Sequence, residues 1–315
     1  MLFVIHANGY QGLRMNKKSV GLLGATSLVG DCLLPLLMQD GSRVIAFSRR
    51  GGMYHEAGVE WRQLGQCPSD GGSCIDAKEV IDTWIAVAPI WVLPDHFSLL
   101  EAYGPRRVVA LSSTSRFTKG NSSDPDEQDI ARRLAEGENA LRIWAEARGV
   151  EWVILRPTLI YGRGRDRNIT EIARFISRFG FFPLFGQAKG LRQPVHAEDV
   201  AQACLAALKM TGRTNRTYNL SGGETLTYRE LVRRVFAAME CHPRLLTVPH
   251  WVFLLAITTM RLLPRYRHWT VAMAERMNHD LIFDASDAMR DLGFSPRLFQ
   301  LKETDLIPVK SLINH

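Results

Sequence analysis

The first candidate site in the sequence is a glycine-containing turn, VGLLGATSLVG. An apolar run of strand length, Ser19–Leu23, leads into the turn, and an apolar-periodic helix is predicted over residues 28–38. Gly24 permits a turn too tight for a side chain, and Gly30 allows the helix and strand to pack closely. A turn of this kind presents free backbone N–H groups to a pyrophosphate, so we predict a dinucleotide site.

Ser27 occupies the position where a middle glycine is usual in such turns. Its hydroxyl is able to donate to a phosphate, whereas its Cβ crowds the backbone approach. The alternative is a strand-to-helix turn that binds no phosphate. The predicted cradle consists of Gly24, Thr26, Ser27, Leu28 and Gly30.

The end of the second predicted strand, residues 43–47, selects the cofactor. An acidic residue at this point favours NAD through the ribose 2′-hydroxyl, whereas arginine accommodates a 2′-phosphate. The sequence here is FSRR, which gives Ser48, Arg49 and Arg50 and no acid nearby. We therefore predict NADP, with NAD as the alternative cofactor and a solvated basic loop as the alternative structure.

The elements that must position these residues alternate between strand and helix through the first half of the chain. Such alternation predicts an α/β fold of the Rossmann type, with a doubly wound parallel sheet and a smaller mixed substrate lobe. The further strands are predicted at 58–64, 84–93, 107–112 and 151–155, with a loop at 66–73 and a long helix over 130–148. The predicted units are an unstructured extension at 1–14, a dinucleotide-binding domain at 15–160, and a substrate lobe at 161–315, interleaved with the first domain.

Composition excludes several classes of protein. The chain has 315 residues, 46% of them hydrophobic and 23% charged, which is typical of a globular protein. A net charge of +7 suits anionic ligands, but no basic run with interleaved aromatic residues predicts nucleic-acid binding. Five cysteines without a C-x-x-C motif predict a cytoplasmic, reducing location and no structural metal.

One apolar segment, PHWVFLLAITTMRLLP at residues 249–264, is too short to span a bilayer. Tryptophans, arginines and a histidine lie within or close to it, which permits a weak peripheral contact with a membrane. A packed surface helix or a dimer contact is the favoured alternative.

Several strings occur in one order: GLLGATSLVG, VVALSSTS, VILRPTLIYGRG, RQPVHAEDVAQA and TYNLSGGETLTYREL. Together they resemble the extended short-chain dehydrogenase/reductase family, the NAD(P)-dependent nucleotide-sugar epimerases and dehydratases. The resemblance implies that Ala88 passes under the adenosine and that Pro157 lies beside the nicotinamide. It also implies that Thr114 hydrogen-bonds the substrate and that Arg192 binds a substrate diphosphate. His196 is more simply interpreted as the anchor of a helix start.

The sequence departs from this family on the long helix. Family members carry a tyrosine and a lysine four residues apart, and the lysine lowers the pKa of the tyrosine so that it exchanges a proton with substrate. Alignment on Glu138 places this pair at Ile130 and Leu134, and no tyrosine in the chain has lysine four residues later. The helix instead predicts an apolar stripe that includes Gly137, and we expect a homodimer through this helix, as in the family.

Two hypotheses follow. In the first, the protein is an oxidoreductase or epimerase acting on a nucleotide sugar or another anionic carbonyl or hydroxyl compound. Thr114 and Lys119 then take the catalytic roles, since Lys119 is the only lysine between Thr114 and Tyr161. In the second, the chain binds NADP without turnover, as a sensor or an assembly subunit.

Overall fold

The computed structural model describes residues 18–49, 58–64, 79–212, 214–248 and 275–306. The predicted extension at 1–14, Arg50, the loop at 66–73 and the apolar segment at 249–264 lie outside the described residues.

A seven-stranded sheet, with every strand pair parallel, organises the fold and confirms the predicted class. Its strand order is β11-β6-β5-β4-β1-β2-β3, so the order in which strands are added to the sheet reverses between β1 and β4. The strands are β1 (Ser19–Leu23), β2 (Arg43–Ser48), β3 (Val59–Gln63), β4 (Thr83–Ala86), β5 (Arg107–Leu111), β6 (Glu151–Pro157), β7 (Ile160–Tyr161), β8 (Phe182–Phe185), β9 (Leu191–Arg192), β10 (Val195–His196), β11 (Arg216–Leu220), β12 (Leu226–Thr227) and β13 (Leu245–Val248).

Helices cover both faces of this sheet. Each face of the sheet has its own apolar core. Because side chains alternate along a strand, Val108 and Val109 of β5 lie in different cores. The helices are α1 (Leu28–Gln39), α2 (Phe97–Ala102), α3 (Ser115–Thr118), α4 (Pro125–Ala147), α5 (Ile169–Phe179), α6 (Ala197–Lys209), α7 (Tyr228–Ala238), α8 (Ser286–Leu292) and α9 (Glu303–Leu306). Helices α1 and α6 pack on one face, and α2 and α4 on the other.

Two predicted boundaries are wrong. The strand predicted at 84–93 ends at Ala86, because Pro89 leads into a 3-10 turn over Ile90–Val92. The long helix starts at Pro125 rather than at residue 130, since Asp124 caps it by accepting from the N–H of Asp126. Proline is favourable at a first helical position, where its missing N–H leaves no bond unmade.

The second half of the chain supplies a smaller core and also completes the main sheet. Helices α5 and α7 and the short strands β8 and β13 enclose the smaller core. Strand β11 pairs with β6, and α6 packs on α1, so the two halves are interleaved. Helix α7 is capped by Thr227, whose hydroxyl accepts from the N–H of Glu230 at 3.1 Å.

No helix among the described residues is both long enough and apolar enough to cross a membrane. Within the same residues, no group of His, Cys, Asp and Glu side chains is placed to hold a metal ion.

Candidate functional site

A cavity of about 600 Å³ opens at the carboxyl ends of the central strands. Ligands of open α/β sheets bind at this edge, where the strand order reverses. Its walls come from the start of α1 and from the segments after β4, β5 and β6. The predicted residues on its wall are Ser27, Leu28, Ala88, Thr114, Lys119 and Arg192.

The glycines of the first turn are required by its geometry. Gly24 has φ +84°, and a Cβ there would lie 2.5 Å from the backbone nitrogen of Ala88. A Cβ on Gly30 would lie 2.5 Å from the carbonyl oxygens of Gly24 and Ala25. Ala88 therefore packs directly against the turn, and the start of α1 stays free of side chains that would block a phosphate, so these residues fit a dinucleotide.

The Ser27 hydroxyl caps α1 by accepting from the N–H of Gly30 at 3.1 Å. Its hydrogen remains available to a phosphate oxygen, since an accepting hydroxyl still donates. The carbonyl of Thr26 accepts from the Arg165 guanidinium at 2.8 Å, and the same guanidinium lies 2.9 Å from the Asp31 carboxylate. Arg165 thus adds positive charge at the start of α1.

At the adenosine end, Ser48 is the last residue of β2 and the exposed Arg49 follows it. The backbone carbonyl of Arg49 accepts from the Gln63 side chain at 3.5 Å, so the bond does not involve the guanidinium. Neither Ser48 nor Arg49 is on the cavity wall, and the choice between NADP and NAD stays a prediction.

Thr114 and Pro157, both predicted near the nicotinamide, are joined by hydrogen bonds. The N–H and the hydroxyl of Thr114 donate to the Pro157 carbonyl at 3.1 and 3.2 Å. Thr114 is 5% exposed and lines the cavity, whereas Pro157 is the last residue of β6 and is not on the cavity wall. In this arrangement the Thr114 oxygen presents lone pairs to a ligand, and donation to a substrate requires the hydroxyl to rotate.

Lys119 lies on the same wall, just after α3. Its ammonium is 3.4 Å from the Glu127 carboxylate, which also pairs with Arg276. One carboxylate therefore pairs with two cations, so Lys119, Glu127 and Arg276 together carry a net positive charge beside the cavity.

Arg192 is the most deeply buried cation on the cavity wall, at 5% exposed. Its guanidinium donates to the carbonyls of Leu191 and His279 at 2.7 Å and lies 5.5 Å from the centre of the Tyr228 ring. Burial lowers the pKa of Arg192 to about 10, and none of the described carboxylates forms an ion pair with it. A buried cation without such a partner favours an anionic ligand.

Most charged side chains on the cavity wall are positive. The single carboxylate among the lining residues, Asp166, caps α5 by accepting from three backbone N–H groups, those of residues 168–170. The lining cations are Lys119, Arg165, Arg167, Arg192 and Arg276. Arg165, Arg167 and Arg276 were not predicted from the sequence, although the first two lie in the string YGRGRDR.

Helix α4 faces the protein core at the positions where the family has its proton-transfer pair. Leu134 is 3% exposed within the apolar cluster, and Ile130 packs against that cluster. Neither residue is on the cavity wall. A Cβ on Gly137 would lie 3.0 Å from the backbone of Ile90 and Trp91, so the close approach at this glycine is to the chain itself. The apolar stripe of α4 therefore packs within this chain and gives no support for a contact between two chains. The homodimer stays a prediction.

Glu138 is the acidic group that α4 does contribute. It is 3% exposed, accepts from the Ser112 hydroxyl at 2.5 Å, and pairs with Arg156 and Arg116. Burial alone would raise the pKa of Glu138, but the hydrogen bonds from Arg156 and Ser112 and the arginine charges hold it below its ordinary value. The carboxylate fixes the end of β5 and has no proton to give at neutral pH.

His196, Tyr161 and Tyr228 are the remaining candidates for a proton donor. His196 caps α6 by accepting from the N–H of Glu198 at 3.2 Å, while its other ring nitrogen lies 3.2 Å from Asp305, as expected for a helix anchor. Burial raises the pKa of Tyr161, and it raises the pKa of Tyr228 to about 12. Neither phenol is tuned to exchange a proton near neutral pH.

Residues 97–221 match the model of the NAD dependent epimerase/dehydratase family. A mitochondrial NADH dehydrogenase [ubiquinone] 1 alpha subcomplex subunit 9 of Arabidopsis thaliana is 35% identical over 128 residues, which are 40% of this chain and 30% of that protein. A UDP-glucose 4-epimerase of Vibrio cholerae is 25% identical over 136 residues, 43% of this chain and 41% of the epimerase. The chain thus spans less than half the length of these two relatives.

Among solved structures, the UDP-glucuronic acid 4-epimerase of Bacillus cereus in complex with NAD superposes with a TM-score of 0.67 at 12% identity. The superposition covers 93% of this chain and 99% of the epimerase, which shows a common fold. The resemblance found in the sequence is confirmed: residues 97–221 are similar to the NAD dependent epimerase/dehydratase family, and the chain shares the Rossmann-type fold of the superposed epimerase.

Proposed function

We propose that the protein is an NADP-dependent oxidoreductase or epimerase acting on a nucleotide sugar or a similar anionic carbonyl or hydroxyl compound. The observation that carries the proposal is the cavity at the carboxyl edge of the sheet, which joins a dinucleotide turn to a wall bearing five cations and one carboxylate. Such a wall favours a diphosphate-containing substrate next to the cofactor. A nicotinamide dinucleotide, when bound, accepts and returns hydride.

The residues of this chain then have distinct tasks. The start of α1, with Ser27 and Arg165, holds the cofactor pyrophosphate, while Arg49 and Arg50 hold the 2′-phosphate. Arg192 binds the phosphate groups of the substrate. Thr114 hydrogen-bonds the reacting oxygen, and the Lys119 ammonium polarises it in place of the tyrosine that the family uses.

The test is single-turnover hydride transfer with UDP-glucose and UDP-glucuronic acid as trial substrates. Thr114→Ala or Lys119→Ala should each lower the rate by about 10²-fold, the usual scale for losing an acid–base partner. NADPH affinity should hardly change, because neither residue belongs to the phosphate cradle. Lys189→Ala serves as the matched control, since Lys189 is exposed and is not on the cavity wall. Normal turnover in both variants would show that other residues carry the reaction.

A second candidate function is a binding subunit that holds NADP without turnover. It is favoured by the burial of Leu134 in the core and by the engagement of Thr114 with a backbone carbonyl. The related respiratory-complex subunit is consistent with it. Tight NADPH binding without hydride transfer to either trial substrate would favour this function over the first.

A further inference from the structure

A second cavity, of about 430 Å³, lies beside α4, strand β6 and the edge strand β11. It shares no lining residue with the cavity at the carboxyl edge of the sheet. Four arginines and two carboxylates line it, which gives a formal charge of +2. These charged residues are Arg116, Arg142, Arg156, Arg216, Glu138 and Asp287.

The carboxylates do not balance the arginines. Glu138 is shared between Arg116 and Arg156, and its Oε1 accepts from Arg156 Nε at 2.9 Å. Asp287 pairs with Arg290, and Arg216 lies 3.9 Å from the Asp291 carboxylate; Arg290 and Asp291 are both outside the cavity wall. Arg142 donates to the Asn139 side chain at 2.8 Å, and no described carboxylate forms an ion pair with it. The cavity therefore holds guanidinium donors in excess of its own acceptors.

The wall also holds a neutral donor. Trp152, at the start of β6, lines the cavity and is 6% exposed. Its indole N–H is buried and has no hydrogen-bond partner within the described part of the chain. A buried donor without an acceptor is unfavourable, and because Trp152 belongs to the cavity wall, an anion bound in the cavity changes the electrostatic surroundings of this indole.

We propose that this cavity binds a phosphate group, either free phosphate or the phosphate of a small monoester. A phosphate offers oxygens in several directions, which suits guanidiniums that come from two helices and two strands. Arg142 and Arg116 bind it at the open side, and Arg156 binds it at the base. The bound phosphate competes with the Glu138 carboxylate for Arg116 and Arg156. Because Glu138 also accepts from Ser112, which lines the first cavity, this competition couples the two cavities.

The experiment titrates the full chain, labelled with ¹⁵N-tryptophan, with inorganic phosphate at constant ionic strength. The indole signal of Trp152 is assigned by its loss in Trp152→Phe. We expect this signal to shift saturably and Arg142→Gln to weaken the apparent affinity by about tenfold, the usual effect of losing a charged hydrogen bond. Arg142 is exposed, so its replacement leaves folding intact.

Two control variants remove the same charge elsewhere. Arg132→Gln alters an exposed arginine of α4 outside this cavity, and Arg167→Gln alters the wall of the first cavity. Both should leave the Trp152 titration unchanged. A parallel titration with glycerol phosphate distinguishes the sources, since tighter binding identifies a monoester and equal binding identifies free phosphate. An unresponsive Trp152 signal, or equal weakening by Arg132→Gln and Arg142→Gln, would overturn the proposal.

Discussion

Helices α1 and α4 pack on opposite faces of the same sheet, but they differ in how well they match the family that the sequence resembles. The turn before α1 has the geometry predicted for a phosphate cradle although Ser27 replaces a glycine, because that geometry depends mainly on backbone N–H groups and on two positions without a Cβ. Helix α4 retains its packing stripe but presents Ile130 and Leu134 where proton transfer needs a tyrosine and a lysine. Backbone-based binding tolerates side-chain change, whereas acid–base chemistry depends on particular side chains.

The sharpest test of the α1 cradle is Gly24→Ala. The substitution combines a left-handed backbone with a Cβ 2.5 Å from Ala88, so we expect a loss of about 4 kcal/mol in the free energy of unfolding and loss of dinucleotide binding. Gly41→Ala is the matched control, because Gly41 has φ +79° with nothing within 4 Å of a Cβ. It should cost only about 1–2 kcal/mol, from the backbone alone. Equal losses by urea unfolding would show that the turn does not require close approach.

Glu138→Gln tests the polar group that α4 retains. The variant leaves Arg116 and Arg156 without their carboxylate, so we expect about 3 kcal/mol less stability at neutral pH. Since the folded pKa of Glu138 lies below its ordinary value of 4.5, this stabilisation is complete above that value and is lost as the pH falls through the folded pKa. The difference in unfolding free energy between variant and parent should therefore shrink on acidification.

The control for Glu138→Gln is Glu136→Gln on the same helix. Its side chain is 60% exposed and pairs with Arg132, so the change should cost less than about 1 kcal/mol. A pH-independent difference for Glu138→Gln would mean that the ionised carboxylate is not what stabilises this region.

The smallest expected effect concerns cofactor choice. Replacing Arg49 and Arg50 together by alanine should weaken NADPH binding by about 2 kcal/mol, because a charged hydrogen bond to the 2′-phosphate is lost. NADH affinity, measured by calorimetry on the same variant, should stay unchanged. Equal affinities of the unmodified protein for NADPH and NADH would contradict the predicted preference.

Local patterns determined the elements around the cradle. Strand β1 coincides with its prediction, and α1 and β2 extend about one residue beyond theirs, because each is a short apolar run closed by Gly or Ser. The strand predicted at 84–93 was too long because an apolar run does not by itself distinguish a strand from the turn that follows it. Similarly, Pro125 begins α4 five residues before the predicted start, inside a polar stretch that lacks the apolar periodicity of the rest of the helix.

The sequence by itself determined the fold class and the position of the glycine turn before α1, and it shows no tyrosine followed by lysine four residues later. Each of these follows from residues close together in the chain. Only the tertiary structure placed Arg165 beside Asp31 and Thr26, 134 and 139 residues away, and Ser112 beside Glu138. It also directed the α4 stripe and Gly137 into the protein's own core. Contacts of this kind depend on which strand ends and helix faces the assembled sheet brings together. The local periodicity of the sequence does not predict them.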